Sequence, residues 1–246
     1  MQYGPAHAEL YDLVFRSRGK DFESEAEEVT RLVRARFPAA RSLLDVACGT
    51  GAHLGRFSQL FHHCEGLELA PAMRRIAERR LPDLRLHGGD MRTFTLDRVF
   101  DAVVCMGNSV ACAADEAELD QAVSRMVGHL SPGGVLVIEP WWFPDDFLDG
   151  HVGGHLVQDG ERIVSRTTHS RLQDGRTRMQ VKFVVADAGG ITEFSDELFV
   201  SLFTRERYEA AFERAGCQVE FLPGLSLAGG RPNGPGLFLG RKEVRS

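Results

Sequence analysis

Apolar residues in this chain follow two rhythms, and the change between them divides the sequence. Up to about residue 140, short apolar runs alternate with stretches of helical spacing; beyond it, two-residue alternation takes over. Over 21–36, Ala26, Val29, Leu32 and Val33 recur at helical spacing, with acids early and arginines late. That predicts an amphipathic helix matched to its own dipole and ended by Pro38. Residues 42–46 read as a strand closed by a glycine-rich turn, and 52–60 as the helix after it. The next strand is 64–69, and Pro71 opens the following helix at its first position. Residues 84–87, 102–106 and 135–139 are further strands. The clearest helix is 115–130, with Ser131-Pro132-Gly133-Gly134 as its stop and the turn into the next strand. This alternation predicts a parallel sheet with helices on both faces.

From 155 to 203 the runs 162–170, 179–185 and 192–202 are β-type, joined by Gln173-Asp174-Gly175 and Ala188-Gly189-Gly190 as hairpin connections. A helix over 205–215 and strands 218–222 and 236–241 close the chain. The division predicted is a core of 1–140 with 204–246, and an embedded antiparallel subdomain at 141–203 for substrate binding.

Composition narrows the function without naming it. The 246 residues suit one α/β domain with an insertion. A net charge of -6 argues against nucleic acid as a partner, although a local group of arginines can still hold a small anion. No stretch approaches the ~20 apolar residues that span a bilayer, and residues 1–10 lack the pattern of a secretory signal, so a cytoplasmic protein without a membrane partner is expected. Five cysteines fall in no metal-like pairs, which predicts reduced thiols and no metal site.

A strand ending at Asp45-Val46 runs into Ala47-Cys48-Gly49-Thr50-Gly51 and then a helix. Glycines there let the backbone bend sharply and come close to a ligand, with helix N–H groups facing it. A dinucleotide fingerprint would place a third glycine or alanine where Leu54 stands, which counts against NAD. Glu68 ends the second strand roughly 20 residues after Gly49, the distance at which such folds place a ribose-binding acid. Asp90-Met91, after Gly88-Gly89, offers an acceptor for an adenine amino group beside an apolar contact. Met106, Asn108 and Ser109 follow the fourth strand. Four strand ends on one edge of the sheet thus predict a nucleoside-sized site.

Asp45-Val46-Ala47-Cys48-Gly49-Thr50-Gly51 resembles the cofactor motif of class I S-adenosylmethionine-dependent methyltransferases. The resemblance implies a Rossmann-like α/β fold with an antiparallel β insertion after the fifth strand. It also implies S-adenosyl-L-methionine as cofactor and S-adenosyl-L-homocysteine as product. The cofactor-binding residues expected are Tyr11, Arg18, Asp45, Ala47, Gly49, Gly51, Glu68, Leu69, Met73, Asp90, Met91, Met106, Asn108 and Ser109, with Lys20 the alternative to Arg18 for the cofactor carboxylate.

A narrower resemblance covers almost the whole chain. Tyr11-Asp12-Leu13, Arg18-Gly19-Lys20-Asp21-Phe22, Gly66-Leu67-Glu68-Leu69, Gly89-Asp90-Met91-Arg92 and Glu139-Pro140-Trp141-Trp142-Phe143-Pro144 look like the N-methyltransferases of dTDP-linked aminodeoxysugars. Those enzymes dimethylate amino sugars of the desosamine and mycaminose type in antibiotic biosynthesis. The resemblance implies a dTDP-amino sugar as partner and leaves a homodimer open. Trp141, Trp142 and Phe143 must pack somewhere; they either wedge the insertion against the core or stack on the substrate. Arg166, His169, Arg171 and Arg178 on insertion strands, with Arg176, are candidates for the substrate's pyrophosphate. No essential general base is expected, since positioning by Tyr11, Phe15 and Met106 would carry the reaction.

Two departures from the family pattern concern the acceptor pocket. Phe15 stands where these enzymes tend to carry a tyrosine, and the region of Cys112 lacks their aromatic. Both bear on whether the accepting amine is at C3 or C4. Residues 231–235 either line that pocket or form a surface loop. Two further readings stay open: a class I methyltransferase for another small amine or hydroxyl of a natural product, and a non-catalytic nucleoside-binding regulator.

Overall fold

The computed structural model describes residues 4–225 and 234–244. Its larger sheet has seven strands. In chain order they are β1 (Ser42–Val46), β2 (His63–Glu68), β3 (Arg85–Gly88), β4 (Phe100–Cys105), β5 (Leu130–Ile138), β10 (Cys217–Pro223) and β11 (Gly236–Lys242). Across the sheet the order is β3-β2-β1-β4-β5-β11-β10. The first five strands are parallel, and β11 enters antiparallel between β5 and β10.

Strict alternation of fully buried residues explains how this sheet is covered twice. Leu44, Val46, Val103, Cys105, Leu136 and Ile138 pack with Leu119, Val123 and Met126 of α5 (Glu116–Gly128) and Phe212 of α6 (Arg205–Arg214). Their neighbours Leu43, Ala102, Val104, Val135 and Val137 pack with Ala26, Val29 and Val33 of α2 (Phe22–Arg36) and Leu54 and Phe57 of α3 (Ala52–Leu60). Each such side chain taken from water contributes about 1.5–3 kcal/mol, so the apolar run of a two-faced parallel strand is what the fold requires. The charge pattern of α2 has the expected result: Asp21 caps it by accepting from Ser24 N–H at 3.0 Å, and Arg34 and Arg36 close its last turn.

The helix expected at 115–130 ends earlier, at Gly128, and β5 begins at Leu130. The supposed stop, Ser131–Gly134, lies inside the strand. Pairing with β4 jumps there from Phe100↔Leu130 to Ala102↔Val135, and Gly133 adopts φ 78°, so proline and glycine mark a bulge instead of a loop.

Four antiparallel strands, β6 (His151–Asp159), β7 (Arg162–Gln173), β8 (Arg176–Asp187) and β9 (Gly190–Ser201), form a second sheet in chain order. The sequence pattern predicts three. It misses β6 because Gly153 and Gly154 break the alternation. Gly153 lies so close to β7 that a Cβ there would stand 2.7 Å from Thr168 Oγ1. One face of this sheet buries Val164, Val181, Phe183 and Leu198 against Leu10 and Val14 of α1 (Pro5–Ser17). On its other side α1 packs through Ala8 on Ala70, Ala72 and Met73 at α4 (Pro71–Arg80). Helix α1 therefore joins the two sheets. Among the described residues no helix is long and apolar enough to cross a membrane.

Candidate cofactor and substrate site

The turn after β1 is held in a conformation that L-residues avoid. Ala47, Gly49 and Gly51 have φ of 60°, 58° and 76°, and a non-glycine residue so placed costs about 1–3 kcal/mol, which its surroundings must offset. Cys48 N–H donates to Leu67 O at 3.1 Å. Glu68 at the end of β2 then ties the turn to α4, accepting from Gly49 N–H at 2.9 Å and Ala70 N–H at 2.6 Å. Burial pushes the Glu68 carboxyl above its ordinary range, against the pull of those backbone donors. Behind it Asp45 is fully buried, and its Oδ2 has no partner among the described residues. Burial, reinforced by Glu68, raises the Asp45 carboxyl well above its usual value. Among the described residues nothing stands within 4 Å of a Cβ placed at Gly49, so none of them fills the space over the turn.

The neighbouring strand ends complete a crevice. Gly107 and Asn108, after β4, also have positive φ, 66° and 62°. Asn108 Nδ2 donates to Pro140 O at 2.5 Å, Ser109 Oγ to Met106 O at 3.0 Å, and Gly107 N–H to Glu139 Oε2 at 2.7 Å. Tyr11 reaches across from α1: a Cβ on Gly107 would stand 3.8 Å from its hydroxyl. Ala47, Gly49, Leu69, Asp90, Met91, Gly107, Asn108 and Ser109 are half-buried, whereas most of the strand residues behind them are closed off. The strand order reverses between β1 and β4, the switch point at which open α/β sheets bind ligands.

Several expected residues have other duties. Asp90 accepts from both the Nε and Nη2 of Arg92, at 2.9 and 2.5 Å, and this pairing holds its carboxyl below the ordinary range. Met73 is 1% exposed among the alanines of α1 and α4, and Met106 lies in the core beneath β4, so neither presents an open edge. Lys20 is withdrawn as a cofactor contact. It is buried in a 2.7 Å ion pair with Glu25, which also meets His53 at 2.7 Å. Arg18 lies near the insertion: its guanidinium is 5.8 Å from the centre of the Phe15 ring and, after burial, contributes to lowering the pKa of His155. Glu139 joins the crevice through Gly107 N–H, and its signal in the sequence is an acid closing the apolar run of the fifth strand.

The insertion residues divide by parity. Arg166 pairs directly with Phe183 and shares the inner face, where it lies beside His7 and His155. His155 also meets Ser17 Oγ at 2.7 Å, and His7, fully buried, meets Asp196 at 2.5 Å. Burial lowers the pKa of both histidines. His169, Arg171 and Arg178 stand on the opposite face, and Arg178 is paired with Glu197 at 2.5 Å. These three cannot form one anion site with Arg166, because adjacent strand positions point to opposite sides. Phe143 settles one half of the aromatic question by packing among Tyr208, Phe221 and Phe238, with ring centres 5.6–6.4 Å away. Residues 231–233 lie outside the described residues, while Gly234 borders Asn108 and Pro140.

Fold and crevice together define a class I methyltransferase. Residues 43–134 match the model of a methyltransferase domain. The chain is 48% identical over 97% of its length to dTDP-4-amino-2,3,4,6-tetradeoxy-D-glucose N,N-dimethyltransferase of Saccharopolyspora spinosa, covering 93% of that protein. It is 49% identical, again over 97%, to dTDP-3-amino-3,4,6-trideoxy-alpha-D-glucopyranose N,N-dimethyltransferase of Streptomyces venezuelae, covering 98% of it. The solved structure of CalS10, a SAM-bound amino pentose methyltransferase from Micromonospora echinaspora, matches with TM-score 0.87 and 49% identity, covering 95% of this chain and 96% of that one. The chain belongs to the S-adenosylmethionine-dependent amino-sugar N-methyltransferase family. The crevice fits that cofactor: no described residue fills the space over Gly49, and the unpartnered Asp45 oxygen and the Glu68 carboxylate beside it suit a cationic, ribose-bearing ligand.

Proposed function

We propose that this chain N,N-dimethylates the amino group of a dTDP-linked aminodeoxysugar in the reducing cytoplasm, where its five free cysteines would stay reduced. The observation that carries the substrate reading is the double role of α1. The same helix borders the cofactor crevice through Tyr11 and the basic inner face of the insertion through Ser17 and Arg18.

When bound, the cofactor supplies an electrophilic methyl group on a sulfonium centre. In this reading Glu68 accepts from the ribose, the Ala47–Gly51 turn faces the amino-acid portion with Asp45 beneath it, and Asp90-Met91 borders the adenine. Arg18, His155 and Arg166 hold the diphosphate between α1 and β7. Half-open Phe15, packed on Tyr11 in a tilted pair with ring centres 4.5 Å apart, forms an apolar wall at the acceptor. Such a wall keeps the amine neutral by excluding water, and holding nitrogen in line with the methyl carbon can contribute about 7–11 kcal/mol. The amine's proton leaves to water, so no side chain is an essential base.

The test is incubation of the chain with isotopically labelled S-adenosylmethionine and a panel of dTDP-3-amino and dTDP-4-amino sugars, read by mass spectrometry. Two methyl groups on one nucleotide sugar are expected. Transfer to free amines with none to any nucleotide sugar would overturn the substrate assignment.

A further inference from the structure

Thr50 stands in the cofactor turn between Gly49 and Gly51, two residues with left-handed φ and no side chains to restrain them. Its own hydroxyl is buried and fully engaged. It donates to Asp12 Oδ1 of α1 at 2.6 Å and lies 3.3 Å from Arg80 Nη1 of α4, which also donates to Thr50 O at 3.0 Å. Arg80 Nη2 in turn bonds Asp12 Oδ2. A hydroxyl has one proton and two lone pairs, so a carboxylate on one side and a guanidinium on the other leave its rotor a single setting. Thus α1 and α4 together clasp the turn through the one side-chain hydroxyl that stands between its two glycines.

We propose that Asp12 is a positioning residue for S-adenosylmethionine, acting through Thr50 to select the turn conformation in which Gly49 N–H meets Glu68 and the space above stays open. Both Asp12 oxygens are engaged, one by Thr50 and the other by Arg80, so Asp12 acts through them. Its neighbour Tyr11 meets the β4 turn at Gly107, so the clasp also sets the height of α1 over the switch point. The assignment concerns the cofactor alone and does not depend on which sugar is methylated.

The experiment is calorimetric titration of the full chain with S-adenosylhomocysteine, beside steady-state kinetics and thermal unfolding. Asp12→Ala and Thr50→Val should each weaken cofactor-product binding by roughly tenfold to a hundredfold, the scale of one charge-assisted hydrogen bond. For Asp12→Ala, turnover at saturating cofactor should stay near that of the parent. The double variant should be no weaker than the worse single one, because both remove the same interaction. Asp12→Asn and Thr50→Ser, which keep the acceptor and the hydroxyl, should recover most of the affinity, and they carry the test if the alanine variant does not fold. Unchanged affinity in Asp12→Ala, additive losses in the double variant, or a lowered Tm with no change in Kd would overturn the proposal.

Discussion

Replacing Glu68 by glutamine alters charge at constant shape, and the structure sets what should follow. The carboxylate accepts two backbone N–H groups, from Gly49 and Ala70, in a position only 8% exposed. A glutamine oxygen can serve one of them; its amide would face the other donor with a donor, leaving an N–H unpaired at about 1–3 kcal/mol. Relief of the buried charge offsets part of that, so the unliganded variant should lose little stability. Binding should suffer more. Two ribose hydroxyls bonded to a carboxylate are worth about 1.5–3 kcal/mol each; losing the charge assistance should weaken S-adenosylhomocysteine roughly a hundredfold. The pH dependence separates this account from a general distortion. Burial raises Glu68 above its ordinary 4.5, so the folded chain holds that proton to higher pH than the unfolded one. Its contribution to stability therefore falls as pH rises from 4.5 through the folded value, while hydroxyl donors, which favour the charged form, make binding tighter over the same rise. Calorimetric titrations at stepped pH, with urea unfolding in parallel, would show affinity climbing in the parent and flat in Glu68→Gln. A glutamine variant that binds as tightly as the parent would refute the ribose role.

Arg166→Ala and Arg18→Ala should raise KM for the nucleotide sugar without changing S-adenosylhomocysteine affinity, whereas Arg171→Ala and Arg178→Ala should leave both constants in place; the reverse pattern would move the diphosphate to the outer face. Lys20→Met should lower unfolding free energy in urea titrations by less than the ~3–5 kcal/mol of a fully unpaired buried charge, because Glu25 keeps His53 as a partner in the interior. Burial opposes ionisation of Glu25, but His53 and Lys20 outweigh it and hold the carboxyl below its ordinary range, so the stability it adds should be lost as pH falls through that lowered value. Gly51→Ala should destabilise the chain by about 1–3 kcal/mol, since φ is 76° and the added Cβ would stand 3.0 Å from Leu81 Cδ1 and 3.2 Å from the Ala77 Cβ; an unchanged urea midpoint would refute this.

Much of the cofactor half was legible in the chain because its information is local. Strand-end residues follow apolar runs directly, so Asp45, Gly49, Glu68, Asp90 and Asn108 could be placed on one edge of the sheet from spacing alone. The substrate half depends on parity and on long-range packing. Arg166 and His169 are three positions apart on β7 and face opposite sides, and no composition rule separates them until the register with β8 is known. Arg18 and Lys20 read alike as basic residues after a helix; one reaches His155 on the insertion and the other is buried against Glu25. The strand at His151–Asp159 was hidden by Gly153 and Gly154, of which Gly153 is needed because β7 passes so close.

By itself, then, the sequence determined the alternating α/β core and the cofactor edge, because hydrophobic period and turn chemistry act within a few residues. Only the tertiary structure decided which charged side chains share a face, and that α1 spans from the glycine turn to the insertion. Those relations come from contacts between segments distant in the chain, such as Asp12 with Thr50 and His7 with Asp196. Local periodicity carries no record of them.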